Sequence, residues 1–344
     1  MKKEVLTAIV AGALSTSSLV AQEIATWEDW CKSAVTFTFD DAANEWNSHN
    51  WAAQQLDKYG FKATFYVVTG WTGSSWNNYK GLANKGHEIG SHTDSHSSNA
   101  SECASSKRTI EQNIGQPCLT IAYPNCVNPG SNAVLSNYIG GRICGGQINS
   151  KSPRELDKLD CAICGNEGIN SSRGSGWQQG MIDKCESANG GWCVFLIHGI
   201  QGYAGGGSFS PTDQDAFTET LSWLDQNRKD YWVCTFRDAI MYFKERDNAS
   251  FKKVSSDNSS TTYSLTLNSS LTSNKLCNWD YPLSLRVPTS ASSATVTQSG
   301  KKIECSVSGG YVYFKAVPDG GNIVVSDGAG SQGGTQGGDQ GGTQ

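Results

Sequence analysis

The sequence predicts an α/β fold, a (β/α)7 barrel of parallel strands, followed by a small all-β sandwich. Three observations carry this. Short apolar runs rich in β-branched and aromatic residues alternate with amphipathic helical stretches, the pattern of parallel strands joined by helices. Near Asp247 the composition shifts to Ser, Thr, Asn and Val with strand-like alternation. The length of 344 residues suffices for about two domains.

The chain opens with Lys2 and Lys3, an apolar stretch over 6–14 and a small residue, Ala21, as a cleavage candidate. This reads as a signal peptide over 1–21, and its apolar run falls short of the ~20 residues a membrane span needs. A secreted, extracellular protein without a membrane anchor is expected. The barrel is expected over 22–247, with strands at 35–39, 63–68, 87–91, 118–123, 139–144, 192–197 and 231–236. Helices fall between them at 50–59 and 212–227, the second carrying Phe217, Leu221 and Leu224 at helical spacing, and a last helix at 238–245 closes the barrel. The sandwich is expected over 248–327, with strands at 263–267, 283–287, 294–296 and 311–316. The segment 328–344 repeats GGTQ and GGDQ, a linker composition that suggests further modules beyond it.

Composition narrows the partners. A net charge of −5 and no block of Lys or Arg exclude a polyanionic partner such as nucleic acid. An aromatic content of 10% beside only 17% charged residues suits rings that stack on sugars, or simply build cores. Twelve cysteines behind an export signal predict disulfides rather than thiolate metal sites. Cys161 and Cys164 are expected to be an oxidised pair rather than zinc ligands, and Cys277 is expected to pair with Cys305.

The chemistry sits at strand ends. The first strand delivers Asp40 and Asp41 at its carboxyl end, the catalytic face of an α/β barrel. Adjacent carboxylates repel unless a cation or shared proton relieves them, so the pair invites a division of labour. The third strand runs into His92-Thr93-Asp94-Ser95-His96, whose i, i+4 histidines would meet at one point on a helical turn. With one Asp they make a three-ligand set with open positions, as in a catalytic metal site. His198 directly follows the apolar run ending at Ile197, in place to protonate a leaving group.

The ordered segments Thr38-Phe39-Asp40-Asp41, His92-Thr93-Asp94-Ser95-His96, Ala122-Tyr123-Pro124 and Phe195-Leu196-Ile197-His198 resemble the motifs of the NodB-type polysaccharide deacetylases, carbohydrate esterase family four, over residues 35–242. The resemblance implies a distorted barrel and a divalent metal, Zn2+ or Co2+, in a hydrolase acting on acetylated polysaccharide. It implies Asp40 as base, His198 as acid, and Asp41, His92 and His96 as metal ligands. The Asn125 backbone N–H would stabilise an oxyanion beside the metal, and Tyr123 and Leu196 would contact substrate. Two departures stand out. Ala122 replaces the arginine that usually pairs with the base, so the Asp40 pKa should rise unless another cation substitutes. A fourth motif, Asp with a nearby Trp, has only Asp157, Asp160 and Trp177 as candidates.

Other classes fit less well. A non-haem iron oxygenase also uses two His and one carboxylate, but on a different fold and with a cytosolic cosubstrate. A sugar-binding protein on an inactive barrel fits the aromatics and the missing arginine, yet retains all five catalytic-type residues for no reason. Among substrates, acetylated xylan ranks first, because alkoxide leaves more easily than amide nitrogen and a site short of a cation suits esters. The N-acetyl groups of chitin or peptidoglycan rank second.

Overall fold

The computed structural model describes residues 22–41, 43–166, 184–185 and 187–328. The expected signal peptide, Trp177 and the repeats beyond Gly328 lie outside the described residues.

Barrel strands form where apolar and β-branched residues run without a break. Strand β2 (Ser33–Phe39) is buried along its whole length, as is β8 (Trp192–Ile197), because both faces of a parallel sheet are covered. Preceded by a short N-terminal strand, β1 (Glu23–Ile24), β2 heads a series of β3 (Thr64–Val67), β4 (Glu88–Ser91), β5 (Thr120–Ala122), β6 (Gly140–Arg142), β7 (Ala162–Ile163), β8 and β9 (Tyr231–Val233). The order across the sheet is β6-β5-β4-β3-β2-β8-β7, with every pairing parallel and β9 also on β2. The remaining opening, from β6 to β7, is crossed by a parallel bridge between Arg142 and Leu159. The sheet thus curls into the distorted barrel expected, with eight strands among the described residues where the sequence predicts seven. The extra strand is β7, whose two residues are too few to carry a periodicity.

Helices cover the outside on apolar faces spaced three and four apart. The helix Gln214–Gln226 buries Ala216, Phe217, Thr220, Leu221 and Leu224, and starts where the Asp213 carboxylate accepts from Ala216 N at 2.9 Å. The helix Phe236–Asn248 starts at Thr235, whose hydroxyl accepts from Asp238 N at 3.1 Å. No helix among the described residues is long and apolar enough to cross a membrane.

Beyond it, β10 (Ala249–Ser256), β11 (Ser260–Leu267), β12 (Leu283–Pro288), β13 (Ala294–Gln298), β14 (Lys301–Ile303), β15 (Cys305–Ser308), β16 (Tyr311–Ala316) and β17 (Ile323–Asp327) form two antiparallel sheets. Their orders are β10-β11-β17-β13-β14 and β1-β12-β16-β15. The N-terminal strand β1 therefore belongs to the sandwich, pairing Glu23 with Arg286 and Ile24 with Leu285, although it precedes the barrel in sequence. Leu265, Leu283, Leu285, Val296, Val312, Phe314 and Ile323 fill the core between the sheets. Sandwich and barrel meet at the last barrel helix, where Tyr242 donates to Ala25 O at 3.1 Å and Tyr281 N donates to Glu245 Oε1 at 3.0 Å.

Candidate active site

Asp40 leaves β2 with its N–H donated to Ile197 O of β8 at 2.9 Å, so the backbone of two strands fixes its position. The residue is 2% exposed, and burial alone would push its carboxyl up. The Arg142 guanidinium, with help from His92 and His198, outweighs burial and holds it below the ordinary carboxylate range. Arg142 is itself buried, with Nη2 2.5 Å from Asp40 Oδ2 and Nη1 donating to Thr38 Oγ1 at 2.6 Å. Register explains its role. Strands β5 and β6 pair Ala122 with Arg142, so the cation comes from the residue beside the place where the third motif lacks one. The expected rise in the Asp40 pKa does not occur, because the substitute is one strand over. An arginine ending an otherwise small and apolar run, Ile139-Gly140-Gly141-Arg142, was the signal available in the sequence.

Asp41 turns away at φ 77°, a left-handed conformation costly for a residue with a Cβ. Its Oδ1 lies 3.8 Å from His92 Nε2 and 3.6 Å from His96 Nε2, and it makes no hydrogen bond among the described residues. Burial, the neighbouring Asp40 and Glu45 push the Asp41 carboxyl up to about 7. His92 donates from Nδ1 to Ala122 O at 2.9 Å, which fixes the tautomer and leaves the Nε2 lone pair facing Asp41. Burial holds His92 down at about 4 and lowers His96 as well, so both are neutral and able to ligate.

The His92–His96 spacing acts differently from expectation. Residues 92–98 are an irregular loop rather than a helical turn, with Thr93 at φ 66° and His96 at φ 60°. The two left-handed residues bring the imidazoles to a centroid distance of 5.0 Å. Glu102 braces this loop, accepting from Asp94 N at 2.9 Å, Ser95 N at 2.8 Å and the Ser95 and Ser97 hydroxyls. Against a cost of burial, those bonds hold the Glu102 carboxyl at about 2. Asp94 accepts from Thr69 Oγ1 at 2.5 Å, and Gly70 must be a glycine because a Cβ there would lie 2.6 Å from Asp94 O.

Asp40, Asp41, His92 and His96 line one cavity of about 540 Å³, with Tyr123, Asn125, Leu196 and His198 on its walls. The structure thus places Asp40, Asp41, His92, His96, Tyr123, Asn125, Leu196 and His198 around one cavity. His198 keeps its buried Nδ1 without a hydrogen-bond partner among the described residues, and burial lowers its pKa. Tyr123 packs over Gly141 and donates its hydroxyl to Asp157 O at 2.8 Å. Asn125 sits in a tight turn at φ 53° on the rim. Sequence reasoning did not find Glu45, nor Trp71 and Phe209, two exposed aromatics on the cavity walls. Trp71 stacks on His96 at 5.0 Å and Phe209 packs edge-on to His198 at 5.3 Å. Asp157 and Asp160, the fourth-motif candidates, stand outside the cavity. Asp157 accepts from Ser131 Oγ and Asn128 Nδ2, and Asp160 Oδ1 from Gly146 N and Cys161 N.

The disulfide expectations need correction. The bond present joins Cys126 and Cys144, both on the cavity wall, and ties the turn after β5 to the end of β6. Cys161 and Cys164 are free thiols, as are Cys277 and Cys305. Cys161 Sγ instead faces Ile143 O at 3.1 Å and Cys305 Sγ faces Ala294 O at 3.4 Å.

Asp41, His92 and His96 fit a divalent cation. One carboxylate oxygen and two imidazole nitrogens lie within 4.8 Å of one another, all three mutually unbonded, and the orphaned Asp41 Oδ1 is the atom a cation would satisfy. Residues 28–132 match the family model described as polysaccharide deacetylase. Over that segment the chain is similar to the polysaccharide deacetylases. Solved structures similar to it include a family 4 acetyl xylan esterase from Clostridium thermocellum in complex with a cobalt ion, 21% identical, covering 60% of this chain and 90% of that one at a TM-score of 0.41. Another is the catalytic domain of a peptidoglycan N-acetylglucosamine deacetylase from Eubacterium rectale, also 21% identical, with 60% and 90% covered and a TM-score of 0.40. At these scores neither likeness bears on substrate. Among curated proteins, a gellan lyase from Bacillus sp is 28% identical over 340 residues, covering 89% of this chain. The chain spans 13% of that relative's length.

Proposed function

We propose that the barrel is a metal-dependent deacetylase that hydrolyses O-acetyl esters on a cell-wall polysaccharide, an acetyl xylan esterase, acting outside the cell. The observation that carries the reading is the buried Asp40, ion-paired with Arg142 and sharing one cavity with His198 and the Asp41, His92 and His96 cluster. Asp41 Oδ1, His92 Nε2 and His96 Nε2 would hold the cation, which when bound supplies a Lewis acid for the acetyl carbonyl and makes water more acidic.

The chain's own residues do the rest. Asp40, kept ionised by Arg142, takes a proton from the water whose oxygen attacks the acetyl carbon. The Asn125 N–H faces the oxygen that becomes negative. His198 gives a proton to the departing sugar oxygen as the ester C–O bond breaks, leaving acetate and a free hydroxyl. Tyr123 and Leu196 bound the space beside the acetyl group, and the exposed faces of Trp71 and Phe209 suit stacking on pyranose rings.

A second reading, N-deacetylation of chitin or peptidoglycan, gains support from Arg142. The preference for esters drew partly on a missing cation, and that cation is present. Ester remains first because alkoxide needs less assistance to leave than amide nitrogen. Acetate release from acetylated xylan and from chitin pentamer, measured with one metal-loaded sample, tests the choice, and faster release from chitin reverses it. Metal-stripped protein that works at the full rate would sink the metal dependence.

A further inference from the structure

The outer face of the sheet β1-β12-β16-β15 carries a groove of about 480 Å³ beneath the turn at Asp29 and Trp30. Across this face the register sets Glu23, Arg286, Tyr313 and Ser306 in one row, with Tyr311 and Ser308 in the next. Alternation turns Leu285, Val312 and Phe314 into the core, so Arg286, Tyr311 and Tyr313 face outward. Tyr311 and Tyr313 are half-buried on that outer face, outside the core between the sheets.

The turn above is built to hold a ring over them. Asp29 at φ 53° and Trp30 at φ 65° are consecutive left-handed residues, neither of them glycine. Such strain persists only where surroundings hold it. Ser284 Oγ accepts from Asp29 N at 2.9 Å, and Lys315 Nζ reaches Asp29 Oδ2 at 2.9 Å and Glu28 Oε1 at 2.5 Å. Trp30 meets Tyr313 edge-on at 5.7 Å. The Arg286 guanidinium lies 4.3 Å from the Trp30 ring and 4.3 Å from the Tyr311 ring, which stiffens all three.

We propose that this groove is a second carbohydrate-binding site, taking a neutral polysaccharide chain whose sugar rings stack on Trp30 and Tyr313. The charges select the class. Arg286 is paired with Glu23 at 2.7 Å, and Lys315 with Glu28 and Asp29. With Glu304 also on the wall, the groove lining sets Asp29 and Glu304 against Lys315, whose charge is already paired, which disfavours an anionic polymer and offers hydroxyl groups several partners. The groove is no extension of the catalytic cavity. The two share no lining residue, and Trp30 precedes the start of β2 whereas Asp40 follows its end. A chain held here anchors the enzyme without being the stretch that is cleaved. The polymer class rests on the deacetylase reading, but the binding itself does not need catalysis.

The test uses the full chain as Asp40→Asn, so that bound polymer is not altered, in depletion assays with insoluble xylan, chitin and, as the anionic comparison, polygalacturonate. Binding to xylan or chitin is expected, with Kd raised about tenfold by adding Trp30→Ala or Tyr313→Ala and restored within about threefold by Trp30→Tyr. Unchanged binding in both alanine variants overturns the proposal, as does preference for polygalacturonate or no binding to xylan and chitin. If the parent chain releases no acetate while depletion still depends on Trp30, the deacetylase reading fails and the groove stands.

Discussion

The barrel holds two buried polar clusters that are treated in opposite ways. Glu88, at the start of β4, is fully satisfied. Its Oε1 accepts from Thr120 Oγ1 at 2.5 Å, and its Oε2 from Thr64 Oγ1 and Arg237 N at 2.8 Å each. At the carboxyl ends of the same sheet, Asp40 Oδ1, Asp41 Oδ1, His198 Nδ1 and Ser208 Oγ are buried without partners, and Asp41, Thr93, His96 and Asn125 are left-handed. Unpaired buried polar atoms and strained backbone are costly and rare. Their concentration at one end marks groups reserved for a cation and a substrate, whereas Glu88 ties strands together.

The largest effect should come from Asp40. Asp40→Asn is expected to lower turnover by about 10²–10⁴, the range for removing a general base, with metal content unchanged. His92→Ala should lose the metal itself, as read by elemental analysis after dialysis. Glu88→Gln should lower the melting temperature while leaving turnover within a few-fold. Equal metal content in the Asp40 and His92 variants, or loss of turnover through Glu88, would erase the contrast between the clusters.

Next comes Arg142, which belongs to both kinds of cluster. Arg142→Met leaves Asp40 buried without its cation, and breaking a buried pair costs about 3–5 kcal/mol. The Asp40 pKa is depressed in the folded protein, so the pair stabilises above the carboxylate's unfolded pKa and is lost as pH falls through the folded value. Without Arg142 that acid loss moves to higher pH, and the acid limb of kcat/KM moves with it. Arg142→Lys should recover part of the shift. An acid limb that stays in place in Arg142→Met would make the arginine a packing residue only.

Much of the fold and site was legible because it rests on local patterns. Strand β2 announces itself by its apolar run, and Asp40, Asp41, His92, His96 and His198 by their position after such runs. What stayed hidden depends on neighbours distant in sequence. Arg142 reaches Asp40 across 102 residues through the β5–β6 register, which no spacing encodes. The His92–His96 loop looked helical because i, i+4 spacing suits a helix, but Glu102 and Asp94 impose another path by side-chain bonds. Strand β1 joins the sandwich from the other end of the chain, and cysteine pairing is set by contacts that counting does not reach.

The smallest expected effect tests whether an unpaired buried oxygen away from the cavity is purely a cost. Glu245 lies between barrel and sandwich, fully buried, with Oε1 accepting from Tyr281 N and Oε2 unpartnered. Burial, with Asp280 and Asp319 nearby, pushes its carboxyl up to about 8. A carboxyl raised in the folded state contributes stability that is complete below its unfolded pKa and is lost as pH rises through the folded value. Between about pH 4.5 and 8 the wild-type chain should therefore lose stability that Glu245→Gln, which keeps the acceptor and cannot ionise, retains. Urea unfolding at pH 5 and pH 9 should show the variant ahead by about 1–3 kcal/mol at the higher pH only. Parallel pH dependence in the two proteins would mean that the Glu245 charge is already compensated, and orphaned atoms would then no longer single out the cavity as the place where cost is kept for use.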